Sequence, residues 1–159
     1  MLRLSLITTT ILVLAACSIS TEFAVVNTLD ESLDVEIRLF AWNPCPVGAD
    51  TNLAASPAAD FEERLFRPVT PGWSASPVQP ESLTDGCSFR IRIPPRTGVR
   101  IARIYNHPLP EDSDRESLAV QEVKFLRDDR EVVLSSQDLI EKLEPLSGRL
   151  YALFPAHAV

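Results

Sequence analysis

The chain has 159 residues, of which 45% are hydrophobic and 23% charged, with 13 prolines against 5 glycines and a formal net charge of −7. This apolar fraction is typical of a single globular domain, and neither a short repeat nor a heptad indicates collagen or a coiled coil. Because 22 acidic residues outnumber 15 basic ones, the overall field repels phosphate backbones, and the composition disfavours a nucleic-acid binder.

Residues 1–17 have the layout of a secretory signal peptide. A single positive charge at Arg3 precedes an uncharged, largely apolar stretch from Leu4 to Leu14, which is followed by small residues. A membrane-spanning helix needs about 20 apolar residues, and this run is shorter and interrupted by threonines. The leader is therefore predicted to direct export rather than to span the membrane.

The end of this leader, residues 14–17 (LAAC), resembles a bacterial lipobox. The resemblance implies removal of residues 1–16 and lipidation of Cys17 by a thioether-linked diacylglycerol and an amide-linked acyl chain such as palmitate. Two or more acyl chains hold a protein durably at a bilayer. Ser18 stands where the family's sorting rule places Asp for inner-membrane retention. The resemblance thus implies the outer membrane, with the domain facing the periplasm and residues 17–22 acting as a short tether.

The mature body is more acidic than the whole chain and retains two cysteines. The leader holds one of the 15 basic residues and none of the 22 acidic ones, so its removal leaves a net charge of −8. In an oxidising compartment the remaining pair, Cys45 and Cys87, indicates one disulfide. A metal site is the alternative, but two isolated cysteines with the distant His107 and His157 lack metal-ligand spacing. The sequence therefore predicts a Cys45–Cys87 disulfide, no metal and no cofactor.

Strand patterns open the mature body. Residues 23–29 are rich in β-forming side chains, and the segment 33–42 alternates apolar with charged residues, as a half-buried strand does. Phe40 and Trp42 fall on the charged side of this alternation. A bulge, a covering loop or an exposed aromatic pair would each explain them, and we favour the covering loop.

Residues 43–86 form a proline-rich insert that is predicted to be irregular. Seven prolines remove backbone donors and prevent long helices or central strands. One short helix is predicted where Asp60 and Glu63 fit a capping pattern, and the disulfide would pin the remainder. Trp73 is a candidate exposed binding aromatic, although a loop more often tucks its one large residue onto the core.

The segment 87–105 is predicted to be a hairpin. Alternating residues flank a Pro-Pro-Arg-Thr-Gly turn, and pairing Ile93 with Val99 places Arg92 opposite Arg100. Directly opposed like charges destabilise a hairpin, so they should be compensated. The hairpin carries an arginine stripe without any acidic residue, formed by Arg90, Arg92, Arg96, Arg100 and Arg103.

Two sources of compensation for the arginine stripe are open. The internal one is acidic strand positions such as Asp34, Glu36 or Glu122, lying alongside in the sheet. The external one is an anion on a partner protein or on lipid head groups, which would make Arg90, Arg92, Arg96 and Arg100 a binding surface. We favour internal pairing.

Short elements also fill the C-terminal part of the chain. Residues 118–126 and 131–134 are predicted to form a hairpin, and 149–154 the last strand. Between them Ser135 or Ser136 caps a short helix, whose apolar face comprises Leu139, Ile140 and Leu143. Together the elements predict a mainly β protein: a single antiparallel β-sandwich over residues 23–159, similar to immunoglobulin or transthyretin domains, with one or two short helices.

Sequence patterns typical of catalysis are missing. The chain has no Gly-rich phosphate loop and no Gly-x-Ser-x-Gly elbow. His107 precedes a proline in an acidic loop, and His157 lies near the C-terminal end, where chains fray. A carboxylate pair for glycoside hydrolysis stays open, because separation in space is invisible in a sequence. The sequence therefore predicts a protein that is not an enzyme, with an unrecognised hydrolase as the alternative.

Two non-enzymatic functions fit these features. One is a binding or scaffold module for another cell-envelope protein, acting through loops or strand addition; its plan is similar to the transthyretin-like outer-membrane lipoprotein of type VI secretion. The other is an inhibitor or immunity lipoprotein against a basic cell-wall hydrolase such as lysozyme. Residues 147–151 (SGRLY) resemble the Ser-Gly and Tyr elements of lysozyme-inhibitor lipoproteins, without their flanking cysteines.

Overall fold

The structure, a computed structural model, describes residues 20–40, 52–62, 73–75, 78–83, 87–105, 120–127, 130–146 and 150–155. In these ranges the protein is mainly β, with two short helices. The strands are β1 (Ser20–Asn27), β2 (Leu33–Leu39), β3 (Ala54–Pro57), β4 (Ser74–Ala75), β5 (Glu81–Ser82), β6 (Ser88–Ile93), β7 (Thr97–Tyr105), β8 (Val120–Arg127), β9 (Arg130–Ser135), β10 (Glu144–Pro145) and β11 (Leu150–Leu153). The helices are α1 (Ala59–Glu62) and α2 (Ser136–Lys142).

The strands form two sheets. A six-stranded sheet has the order β10-β11-β1-β7-β3-β4, and a five-stranded sheet has the order β5-β6-β2-β8-β9. Every described pairing is antiparallel except that of β1 with β11. The expectation of purely antiparallel sheets is wrong at this pair. The last strand returns to β1 in the same direction, and parallel neighbours need a crossover connection rather than a hairpin.

The two sheets face each other across one hydrophobic core. Val25 and Val99 of the six-stranded sheet belong to the same cluster as Val35, Ile91 and Phe125 of the five-stranded sheet. Burial of each such side chain contributes about 1.5–3 kcal/mol. The alternation predicted for β2 is confirmed, since its apolar residues are buried and its charged ones are not. The strand ends at Leu39, and Trp42 lies outside the described residues.

The six-stranded sheet is also covered on its outer face. Four consecutive residues of β1, Phe23 to Val26, are buried, which explains their unbroken apolar run, because a strand covered on both faces does not alternate. The cover includes Phe61 of α1, Leu146 and Phe154. Segment 43–86 is therefore less irregular than predicted. Its described part contains β3, α1, β4 and β5, since β3 hydrogen-bonds along β7 and Phe61 anchors the adjoining helix.

The hairpin predicted for residues 87–105 is wrong. β6 pairs with β2 and β5 in the five-stranded sheet, whereas β7 pairs with β1 and β3 in the other. The connection is an arch between sheets, in which Arg96 has a positive φ of 50°. The Arg96 N–H donates to the Leu29 carbonyl at 3.0 Å, and its carbonyl accepts from the Ala58 N–H at 2.8 Å. Crossing between the sheets separates Arg92 from Arg100, so the repulsion expected in a hairpin does not arise.

Other predicted elements agree more closely with the structure. The hairpin of β8 and β9 is confirmed, with Arg127 opposite Arg130 at its turn. Ser135 caps α2, and Asp138 completes a capping box with it. Leu139 is buried as predicted, but Ile140 is 44% exposed, because only one side of this short helix contacts the core.

The predicted tether is too long by three residues. β1 begins at Ser20 and pairs with β7 from that residue onward. Glu22, which the sequence placed in the tether, therefore belongs to a central strand of the six-stranded sheet. The start of this strand was not recognised in the sequence because Ser20, Thr21 and Glu22 are all polar.

Candidate functional site

The arginine stripe is divided between two surfaces by the arch. Arg90 and Arg92 lie on the outer face of the five-stranded sheet, where strand register places them beside Glu36 and Asp34 of β2. Arg100 lies on the outer face of the other sheet, and the side chain of Arg103 lies outside the described residues. The stripe is thus not one continuous patch.

Each of the four arginines of the stripe whose side chains are described is paired with a carboxylate of the same chain. Arg92 donates two hydrogen bonds of 2.8 Å to Asp34, and Arg90 forms an ion pair with Glu36. On the arch the Arg96 Nε lies 2.9 Å from the Asp30 Oδ1. Arg100 Nη1 lies 3.3 Å from Glu22 Oε1. Internal pairing with Asp34 and Glu36, which the sequence favoured, is present, and these carboxylates largely offset the positive stripe.

Hydrogen bonding shifts the pKa values of Asp34, Asp30 and their arginine partners toward the charged forms. The Arg92 guanidinium lowers the pKa of Asp34, against a smaller opposing effect of burial, and Asp34 raises the pKa of Arg92 in turn. Arg96 likewise lowers the pKa of Asp30. The stability contributed by a carboxylate with a lowered pKa is present at neutral pH and is lost as pH falls through the folded-state value.

Reversing Arg92 tests this pairing. Arg92→Glu is expected to lower Tm at neutral pH, because it sets two acids side by side on adjacent strands. Combining it with Asp34→Arg should restore most of the loss, since the pair is then re-formed with opposite polarity. Thermal unfolding of both single variants and the double variant, at low salt and in 1 M NaCl, measures the coupling. Equal and additive losses in the double variant would show that the two side chains do not interact.

Charges of alternating sign extend across the outer face of the five-stranded sheet. One cross-strand row runs from Glu81 through Arg90 and Glu36 to Lys124. Beside it a shallow, polar groove of about 320 Å³ is lined by Asp34, Gln79, Glu81, Arg90, Arg92 and Leu126. Asp34 and Arg92 of this groove pair with each other, and Arg90 pairs with Glu36. Among the described residues no group of three His, Cys, Asp or Glu side chains could hold a metal ion.

Trp73 belongs to a cluster on the outer face of the six-stranded sheet. Its Nε1–H donates to Glu22 Oε2 at 3.2 Å, and the Arg100 guanidinium carbon lies 5.3 Å from the ring centroid. Its ring meets that of Phe61 edge to face at 5.6 Å between centroids. Trp73 is half-buried, as expected when a loop packs its one large side chain against the body of the protein. We therefore do not assign it to an exposed binding surface.

The outer edge of β9 is a feature that the sequence reasoning missed. Val133 is 45% exposed, and with Ile140 of α2 it completes the set of large exposed hydrophobic residues in the described part of the chain. The sequence contains a pattern that could have predicted the exposed valine. Val132, Val133 and Leu134 are three consecutive apolar residues of one strand, so at least one of them has to point to the face opposite the core.

Several predicted site residues are not brought together by the described structure. Cys17, Cys45 and Trp42 lie outside the described residues, as do His107 and His157. Cys87 is buried beside β6, at 7% exposure, and joins the main core.

Comparison of the chain with protein-family models, curated proteins and solved structures gives no match. Within the described ranges, no helix is long and apolar enough to cross a membrane. A function therefore has to rest on the chain's own features, above all its leader, its central strand β1 and the edge of β9.

Proposed function

We propose that the mature chain is a lipid-anchored, non-enzymatic binding or scaffold module for another cell-envelope protein, held at the outer membrane and facing the periplasm. The observation that carries the proposal is the spacing between the lipobox and the fold. Only Ser18 and Ile19 separate Cys17 from β1, and two extended residues reach about 7 Å. The anchor is thus joined almost directly to a strand with neighbours on both sides.

This attachment gives the body a near end and a far end relative to the anchor. β1 has eight residues, which correspond to about 26 Å at the usual rise of a strand. The Ser20 end is the near one. The Asn27 end, with the arch and its Asp30–Arg96 pair, is directed away from the anchor. A rigid body presented in this way suits a scaffold, because loops and sheet edges keep a defined position relative to the bilayer.

The finer fold is part of the same proposal. We assign the two facing sheets to a β-sandwich of immunoglobulin- or transthyretin-like type, closed by a Cys45–Cys87 disulfide. Support for the disulfide comes from Cys87, which is buried and packs in the main core. Alkylation of the denatured, unreduced mature protein should label neither Cys45 nor Cys87. Labelling of both would refute the bridge.

An inhibitor of a basic cell-wall hydrolase is the second candidate. The mature net charge of −8 favours it, because an acidic surface attracts a basic partner at low ionic strength. The two candidates differ in one simple assay. Detergent-solubilised lipidated protein should slow lysozyme in low salt if it is an inhibitor, and leave the rate unchanged if it is a scaffold.

The scaffold proposal is tested in intact cells. Photo-crosslinking residues placed at Asp30 and at Val133 should yield an adduct of defined mass with an envelope protein. The adduct should disappear in Cys17→Ala, which removes the lipidation site. Absence of adducts from both positions would count against a scaffold, and turnover of cell-wall material by the purified protein would establish an enzyme instead.

A further inference from the structure

β9 is the one long edge strand among the described elements. The other edges, β4, β5 and β10, have two residues each. Pro80 precedes β5 and Pro145 lies in β10, and proline blunts an edge by removing a donor. β9 has six residues, contains no proline, and keeps an uninterrupted register with β8. It therefore has the length and regularity to accept another strand.

The hairpin fixes which backbone groups of β9 face the open side. Arg127 and Arg130 are the last facing residues of the hairpin, with two residues between them in the sequence, and the pair that closes a hairpin of this length is hydrogen-bonded. Bonding then alternates along an antiparallel ladder, so Arg130, Val132 and Leu134 bond to β8 while Glu131 and Val133 point outward. Ser135 agrees with this alternation, because its N–H donates to Asp138 Oδ2 at 2.9 Å. The open edge thus offers the N–H and C=O groups of Glu131 and Val133.

The side chains around these groups define what would fit. Val132 is partly buried and Leu134 buried, so they extend the main core toward the edge. Val133 faces outward and is exposed. Glu131 lies 3.7 Å from Lys124. Arg130 is exposed, and within the described ranges no carboxylate lies at ion-pair distance from it.

We propose that β9 is a docking edge at which an extended segment of a different protein adds as an antiparallel strand. The segment would place apolar residues opposite Val132 and Val133 and a carboxylate opposite Arg130. Main-chain bonds to Glu131 and Val133 supply affinity in this mode, and the alternate side chains supply specificity. The inference rests on the proposed scaffold function and names its site and the chemistry of its partner.

Charge complementarity selects a different protein over a second copy of this chain. Arg130 and Glu131 are successive strand residues, so they point to opposite faces of the sheet. A two-fold pairing of β9 with itself opposes residues of the same face. It therefore sets Arg130 against another Arg130, a Val132 or a Leu134, and never against Glu131. A symmetric dimer would leave both arginines without an acidic partner.

The test uses a fluorescein-labelled synthetic peptide and the full lipidated protein in detergent. The peptide carries valine, valine and isoleucine opposite Leu134, Val133 and Val132, then lysine opposite Glu131 and glutamate opposite Arg130. Fluorescence anisotropy should show saturable binding. Val133→Pro should weaken it about tenfold or more, a factor that corresponds to loss of outward main-chain bonding. Ser82→Pro, on the short edge β5, is the matched control and should leave binding unchanged.

A charge exchange distinguishes loss of a binding contact from misfolding of the variant. Arg130→Glu should weaken the original peptide and restore binding to one whose glutamate is replaced by lysine. Equal binding by wild type and Val133→Pro, or no binding of the peptide, would overturn the proposal. So would a concentration-dependent dimer that Val133→Pro dissolves, since a second copy would then occupy the edge.

The crosslinking experiment separates this inference from the function beneath it. An adduct from Asp30 without one from Val133 would overturn the docking edge and leave the scaffold function standing. Adducts from neither position would remove both. An adduct from Val133 that is lost in Arg130→Glu supports both together.

Discussion

Replacing Gly98 by alanine is expected to destabilise the body by about 2–3 kcal/mol, the usual size of an overpacking effect in a closed core. A Cβ added at Gly98 would overlap Phe61 Cε2 and lie 2.6 Å from Cζ. Phe61 is completely buried, so its ring cannot yield without opening the cover of the six-stranded sheet. Urea unfolding of Gly98→Ala against wild type measures the loss.

Measuring Gly98→Ala in the Phe61→Ala background tests whether the overlap with Phe61 causes that loss. In Phe61→Ala the ring is gone, and adding Gly98→Ala should then cost less than about 1 kcal/mol, because neighbouring residues that share one contact are not additive. Phe61→Ala alone should cost about 3–5 kcal/mol through the cavity that it leaves. If Gly98→Ala costs the same in both backgrounds, the close approach of Phe61 is not why glycine stands there.

Replacing Asn27 by alanine is expected to cost about 3 kcal/mol, because it leaves several polar groups without partners. The Asn27 side chain is fully buried. Its amide donates to the carbonyls of Glu31, Ile93 and Pro94, and its oxygen accepts from the Leu29 N–H at 3.0 Å. One side chain thus joins β1, the loop before β2 and the arch.

The control for Asn27 lies in the same loop. Asp30→Asn removes an exposed charge that pairs with Arg96, and exposed pairs contribute little, so its denaturation midpoint should stay close to that of wild type. Hydrogen exchange adds a local readout. Asn27→Ala should raise exchange at Arg96 and Ala58, whose N–H groups bond across the arch. A loss below about 1 kcal/mol with unchanged exchange would show that Asn27 does not organise this end.

Local patterns predicted most of the elements. Alternation located β2 and β6, because burial with a period of two is visible in successive residues. The cap of α2 was equally local, as Ser135 and Asp138 are three residues apart. What the sequence did not show was which sheet each strand joins. Residues 88–93 and 97–105 alternate in the same way whether they form a hairpin or an arch, and the opposed arginines were the one sign against the hairpin.

The candidate site, like the fold, was predicted only in part. Asp34 and Glu36 were identified as partners of the stripe because they share the polar face of β2. Glu22 was missed as the partner of Arg100, since its strand start resembles a polar tether and the pair spans 78 positions of sequence. The edge of β9 was missed for a related reason. Only sheet order reveals which strand is outermost, and that order depends on contacts distant in sequence.

These features combine into one account of the molecule. We propose that a lipid-modified N-terminus leads within two residues into β1, which lies in a body of two facing sheets. Internal ion pairs engage four arginines of the stripe, so these side chains are less available to external anions. The edge of β9 then offers main-chain groups and an exposed valine to a partner. Every functional part of this account depends on the anchor that positions the body.

Intact-mass measurement of the protein extracted from membranes tests that anchor most directly. We expect a chain that begins at Cys17 and carries the mass of a diacylglycerol plus one acyl chain, with Cys17→Ala left unlipidated. A water-soluble product with an unmodified Cys17 thiol, or a chain that retains residues 1–16, would contradict it.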